Sequence, residues 1–497
     1  MQVHGVDEQF GRLLAECFSH SLSREEFSKL EMPPGMSEAS SWRMVNLIRR
    51  ASGITLPSGV VINNSWRADW YAPSRRLQKL LTACTAAGVT NPHALDVLAS
   101  PEGRHVKINL LATDCFIALK DAGCALPRRE LAAAALGLEV PHSDQERLVR
   151  NFFQVALDSV GSGFRLATAD DIARVYQRCI EGVRLPTAHP EADREPSSDA
   201  LACIERIFDK TSELETLMGA IARLLAFLEL RPLPFANMFI GRMAFSGLLH
   251  AQGLTVLSYL PVLDFLDSWQ RGSFETPGYH PVGRLSAAAQ IIEGARDWTR
   301  FFEETLAWLL DETRWLLRKF ARMKLRRERL EELLGRDTTY TERQHDVLLE
   351  ALVHDDAEFT FSGLMEHYNV VYSTAHADLV GLCDDGFLQA RRQGKRLVFI
   401  AVPEIHDRLH AFLRRIDSSL YAQFFDEQGR LVVDSETRET PGRAGQEEGG
   451  ASPWAKAEED VRKFLPTAEP QRRMALLRGL KRRDDARSAE ESADSKA

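Results

Sequence analysis

Apolar residues recur at spacings of three and four along most of the chain, the pattern of helices with one buried face. In the first 160 residues it predicts helices over 8–19, 107–122, 129–138 and 145–160. One stretch, 54–71, is rich in Pro, Gly, Asn and Trp and predicts a short strand pair instead. Residues 184–199 concentrate Pro, Asp, Glu and Ser, a composition that buries little and predicts an exposed linker.

A second helical block follows the linker. Leu214, Leu217, Ile221, Leu224, Leu225 and Leu228 mark one apolar face, which runs into the turn 231–234. Residues 241–252 predict a further helix ended by Gly253. Residues 297–334 predict one long helix or two abutting ones, with Trp298, Phe302, Leu306, Leu309, Leu316 and Phe320 inward. From 434 to 497 the chain is polar and charge-dense, and predicts disorder. Within that tail Val461, Phe464, Leu465, Met474, Leu476, Leu477 and Leu480 punctuate a basic background, a pattern suited to a partner-docking helix.

Composition narrows the class. With 497 residues and 44% hydrophobic content the chain is long enough for several cores. It has no apolar run of 18 residues, and Asp7 and Glu8 stand where a secretory leader needs an apolar stretch. A cytoplasmic protein with no membrane partner is expected. Seven scattered cysteines without a C-x-x-C pair argue against a disulfide framework and a zinc site. The net charge of −9 means that any nucleic-acid binding must come from a local basic surface.

One segment suggests a chemistry and then withholds it. RPLPFANMFIGR, 231–242, with its flanking helices, resembles the Fic family motif His-Pro-Phe-x-(Asp/Glu)-Gly-Asn-Gly-Arg-x-x-Arg. The helix at 166–182, the segment 242–254 and DWTRFFEETL at 297–306 are similar to the surroundings of that motif. The resemblance implies a helical AMP-transferring core over roughly 165–335. In the family a His acts as base, a carboxylate holds magnesium, and a Gly-Asn-Gly turn with Arg binds phosphates. Here Arg231 replaces the His, and a guanidinium cannot serve as a base near neutral pH. Phe235 replaces the metal ligand, Ala236 and Met238 the two glycines, and Phe239 the first Arg. Pro232, Asn237 and Arg242 alone match. The expectation is a domain without catalytic residues, metal or other cofactor, keeping its helical packing and leaving Arg231, Asn237 and Arg242 as a vestigial anion pocket.

Residues 341–401 resemble the winged helix-turn-helix that often follows a Fic core. Thr341 starts a first helix, FTFSGLMEHYN a second, and Thr374, Ala375, Asp378, Leu379, Leu382, Gly386 and Leu388 match the recognition helix and strand entry in register. A hairpin around Gln393 and Gly394 would form the wing. The resemblance implies Tyr372, Ser373, Thr374 and His376 at DNA bases or backbone, and Arg391, Arg392, Lys395 and Arg396 at phosphates. Against this, residues 336–401 hold eleven acidic and six basic side chains. Between Thr313 and Leu330, by contrast, lie eight basic residues and one Glu, and Arg318, Lys319, Arg322 and Arg326 are candidate phosphate contacts.

The fold expected is mainly α, a helical Fic-like core followed by a small α+β winged module. The expected organisation is a helical region of open role (1–160), the degenerate core (161–335), the winged module (336–405), a helical extension (406–433) and the charged tail (434–497). The function expected is a double-stranded-DNA-binding regulator whose core acts as scaffold, homodimer interface or ligand sensor. Two alternatives stand beside it: a protein-interaction component of a toxin-antitoxin or phage-defence system, and a residual AMP transferase.

Overall fold

The computed structural model describes residues 3–57, 69–89, 101–124, 141–159, 166, 168–184, 196–270, 290–292, 295–353, 357–393 and 396–432. It is mainly helical with two small sheets, as the hydrophobic spacing predicts. The predicted helix 129–138, the loop tip at 394–395, and the tail beyond 432 lie outside the described residues. The chain divides into two compact units, Met1–Asp96 with His105–Arg318, and Val97–Arg104 with Lys319–Ala497.

The first unit opens with α1 (Val3–Cys17), α2 (Arg24–Ser28) and α3 (Glu38–Ala51). Strands β1 (Ile54–Thr55) and β2 (Trp70–Tyr71) follow and pair antiparallel, as the break in helical spacing predicts. Next come α4 (Arg75–Gly88), α5 (Pro101–Asp121), α6 (Asp144–Ser159), α7 (Ala169–Ile180) and α8 (Ser198–Ser212). The centre is the pair α9 (Thr216–Leu230) and α10 (Asn237–Ala251), then α11 (Thr255–Ser258) and α12 (Val262–Gln270). Strands β3 (Gln290–Ile292) and β4 (Ala295–Asp297) complete a sheet of order β1-β2-β4-β3.

Helix α10 is buried nearly all round, from Asn237 through Leu249, which is why its sequence lacks a polar face. It can press against α9 because Gly241 leaves room: a Cβ there would stand 2.7 Å from Phe227 Cβ. A charged pair lies inside this packing. Arg242 is fully buried and bonds to the carboxylate of Asp114 on α5, to Ser246, and to the carbonyls of Ser258 (3.1 Å) and Leu260 (3.0 Å). The other Asp114 oxygen accepts the backbone N–H groups of Leu263 (3.0 Å) and Asp264 (3.3 Å) at the head of α12. Burial by itself pushes the Asp114 carboxyl up, and Arg242 and the two amides oppose it.

A second polar group ties the sheet to the helices. Arg49 of α3 meets Asp297 at 3.0 Å with both side chains buried, and Arg296 forks onto Asp69 (2.6 and 2.7 Å) while reaching Glu229 at 2.8 Å.

Helix α13 (Thr299–Leu334) is one continuous helix of 36 residues. The two units divide within it, after Arg318, and not at its end near 335. Its last turns belong to the second unit because Leu330, Leu333 and Leu334 enter that unit's core. There follow α14 (Glu342–Val353), β5 (Glu358–Phe359), α15 (Phe361–Tyr368), α16 (Tyr372–Asp384), and strands β6 (Leu388–Gln393) and β7 (Arg396–Ala401). Two further helices, α17 (Ile405–Ile416) and α18 (Ser418–Phe424), form the extension.

In that extension His410 is buried; its ring faces the Tyr421 hydroxyl at 3.0 Å and the edge of Phe425. Burial, reinforced by Arg326, His406 and Arg414, pulls the His410 pKa from 6.5 down to about 4.

Two expected outcomes follow from these buried groups. Replacing Asp114 by Asn strands a buried guanidinium and should cost about 3–5 kcal/mol in urea unfolding; a loss under about 1 kcal/mol would show that the pair is not integral to the core. In the unfolded chain His410 takes up a proton near pH 6.5, whereas the folded ring stays neutral down to about 4. The unfolded state therefore binds the extra proton in this window, and the second unit should lose stability as pH falls from 6.5 to about 4. The variant His410→Gln should flatten that part of the melting-temperature profile, and an unchanged slope would contradict the assignment.

Candidate functional site: an infilled loop and a helix-turn-helix

Two places carry the residues singled out by sequence. The first is the loop between α9 and α10. Arg231 closes α9 in the left-handed conformation (φ 43°), and Ala236 precedes α10 in the same region (φ 58°). Side chains at such positions are strained, which is why a glycine is the default there. The Fic motif has its first glycine at the position of Ala236.

Asn237 holds the loop closed on itself. Its Oδ1 accepts the backbone N–H of Leu233 at 2.9 Å and its Nδ2 donates to the Leu233 carbonyl at 2.6 Å. Phe235 and Phe239 are both buried. They pack against Phe152 of α6, with ring centroids 6.4 and 4.1 Å away.

The expected anion pocket of Arg231, Asn237 and Arg242 is not formed by these side chains. Arg231 is 57% exposed and pairs with Asp121 at 2.8 Å, whereas Arg242 is completely buried with its guanidinium committed to Asp114, Ser246 and two carbonyls. Asn237 spends its amide on Leu233, and Pro232 is half-buried in the turn. The residue that sequence reading missed is Asp114. Its signal is a lone carboxylate in the apolar run LLATDCFIAL of a helix, where burial requires a cation from elsewhere.

The second place is in the other unit. Helices α15 and α16 are joined by three residues: Asn369 in the left-handed conformation (φ 51°), Val370, and the N-cap Val371. This is the short connection of a helix-turn-helix. Thr360 caps α15 by accepting the Gly363 N–H at 3.1 Å, while Val371 offers α16 no side-chain cap. Ala375, Leu379 and Leu382 point into the core, and Asp378, also buried, accepts Arg343 of α14 at 2.8 Å. Asp378 is thus a clamp between α14 and α16. The sheet behind has order β5-β7-β6, with β6 and β7 forming an antiparallel hairpin in which Arg391 faces Val398 and Arg392 faces Leu397.

The candidate DNA-contacting residues fall as follows. Tyr372, Ser373 and His376 are exposed at the head of α16, and Thr374 is half-buried. Phe361 stacks on His376 and meets Tyr372 edge-on, both at 5.2 Å. On the hairpin Arg392 is exposed and Arg391 half-buried; Lys395 lies outside the described residues, and Arg396 is placed by its backbone alone.

The basic stretch of α13 is largely answered by neighbouring carboxylates. Arg314 meets Asp311 (4.0 Å), Lys324 meets Glu328 (3.9 Å), Arg327 meets Glu331 (2.9 Å) and Arg329 meets Glu332 (3.0 Å). Three of those four carboxylates fall outside the window Thr313–Leu330, so a count within it overstates the charge. Arg326 is half-buried and is one of the cations acting on His410, and burial lowers its own pKa. Arg318 and Arg322 are exposed and Lys319 is half-buried.

Among the described residues no group of three or more His, Cys, Asp or Glu is placed to hold a metal ion, and no helix is long and apolar enough to cross a membrane. The chain matches no protein-family model and no curated protein.

The loop geometry makes an expected outcome that runs against usual mutational experience. Ala236→Gly should raise stability by about 1 kcal/mol, because glycine relieves the left-handed strain at φ 58°. Thermal unfolding measures it, and a drop in the midpoint would mean that the Ala236 methyl contributes more packing than its backbone costs.

Proposed function

We propose that this is a DNA-binding regulator of the cytoplasm, in which α16 and the β6–β7 hairpin engage duplex DNA. The helical block around α9 and α10 is, in this reading, a degenerate Fic-like domain that serves as scaffold or dimer interface and transfers no AMP. The observation that carries the DNA reading is the helix-turn-helix followed by a two-stranded hairpin, with the head of α16 exposed. Such a module sets its second helix in the major groove and lays the hairpin on phosphates. What supports the loss of catalysis is the replacement of base and metal ligand by Arg231 and Phe235, together with the phenylalanine packing that occupies the loop.

A second reading has its own support. The exposed positions on the first two turns of α16, Tyr372, Ser373, His376 and Ala377, include no Arg, Lys, Asn or Gln, the side chains that most often read base edges. A protein partner would meet such a face as readily as a groove.

Fluorescence anisotropy of the purified chain on sheared genomic duplex, over a salt series, separates the two. DNA binding predicts a linear fall of log affinity with log salt. Changing Arg391, Arg392, Lys395 and Arg396 together to Ala should weaken binding at least tenfold and reduce the slope by about 3. An unchanged affinity and slope would remove the hairpin from the interface. No binding to any duplex, with one protein co-purifying, would establish the protein reading.

A further inference from the structure

The head of α16 presents apolar side chains that the described residues leave uncovered. Phe361, half-buried, backs them: its ring meets Tyr372 and His376, both at 5.2 Å, and the buried Phe399 at 5.0 Å. Around it Val371 is 65% exposed, Tyr372 55% and Leu397 41%. Leu397 precedes Phe399 by two residues on β7 and therefore shares its face of the sheet. Isolated exposed apolar residues need no explanation, but a contiguous group at a helix head marks an interaction surface.

The module as a whole is acidic, although four of its basic residues, Arg391, Arg392, Lys395 and Arg396, lie in the hairpin segment 388–401. Residues 336–401 carry eleven acidic and six basic side chains, and two of those basic ones, Arg336 and Arg343, are paired with Asp417 and Asp378. Glu366 on α15, the helix that carries Phe361, is exposed, and Glu358 lies on β5. The occupant that fits is apolar, basic and close at hand.

We propose that residues 470–483 of the chain's own C-terminal tail dock on this surface and compete with DNA for the head of α16. The segment PQRRMALLRGLKRR has six basic residues and no acidic one, with Met474, Leu477 and Leu480 spaced three apart. Its charge complements the module, and its apolar positions fit one side of a helical register. The tail leaves the described structure at Val432, within the same unit as α16. The 37 residues from 433 to 469 span about 30–37 Å as a flexible chain, and a tether of this kind presents its end at an effective concentration on the order of a millimolar. A weak contact is therefore sufficient for docking. The regulatory consequence rests on the DNA reading above; the docking itself does not.

Two measurements on the full chain test this. A benzophenone amino acid in place of Tyr372, followed by illumination and peptide mapping, should give adducts within one chain to 470–483. Those adducts should vanish when Leu477→Asp and Leu480→Asp are combined. Adducts between two chains, adducts elsewhere, or none would overturn the proposal. In duplex binding, the Leu477→Asp/Leu480→Asp variant should bind about tenfold more tightly than the parent. If instead changing Arg472, Arg473, Arg478, Lys481, Arg482 and Arg483 to Gln weakens DNA binding, the tail contacts phosphates and the proposal fails. Intrachain adducts in a protein that binds no duplex would uphold the docking while refuting the DNA reading.

Discussion

Of the buried ion pairs of the first unit, Arg242 with Asp114 is the one that joins its central helices. Removing two charges from water costs several kcal/mol per ion unless every remaining donor and acceptor is met. Here the guanidinium takes a carboxylate, a hydroxyl and two carbonyls, and the carboxylate takes two further backbone amides. The pair therefore sets the mutual positions of α5, α10, the turn after α11 and the start of α12. A cation so enclosed is a packing element.

The adjoining loop follows from the same packing. Its backbone still makes the left-handed turn at position 236, although alanine pays a conformational penalty there that glycine would not. Phe235 and Phe239 have joined Phe152 in an aromatic cluster, whose burial offsets part of the strain.

Much of this was legible in the sequence, for identifiable reasons. Helical spacing located α10 and the long α13, and the turn-rich stretch 54–71 located β1 and β2. The matched positions from Thr374 to Leu388 placed α16 and the entry to β6 in register. What escaped were interactions between residues distant in sequence. Nothing local to RPLPFANMFIGR says that Arg242 faces Asp114, 128 positions away, so three polar residues in one motif read as a pocket when they diverge. The basic stretch of α13 misled for a simpler reason: its carboxylate partners at Asp311, Glu331 and Glu332 lie just outside the basic run. Helices α3, α4 and α8 were not read from the sequence, although Ser37, Ser74 and Ser197 cap their starts.

In the second unit Tyr372, Ser373 and His376 are exposed at the head of α16. The buried Asp378 holds α14 against α16, and we propose that this head and the hairpin meet duplex DNA. Hydrogen exchange of the full chain, measured by mass spectrometry with and without duplex DNA, tests that account most directly. The account predicts slower exchange at 372–377 and 388–401 on adding DNA, with 231–242 unchanged. Protection confined to 231–242, or no protection at the helix-turn-helix under conditions where DNA is bound, would contradict it.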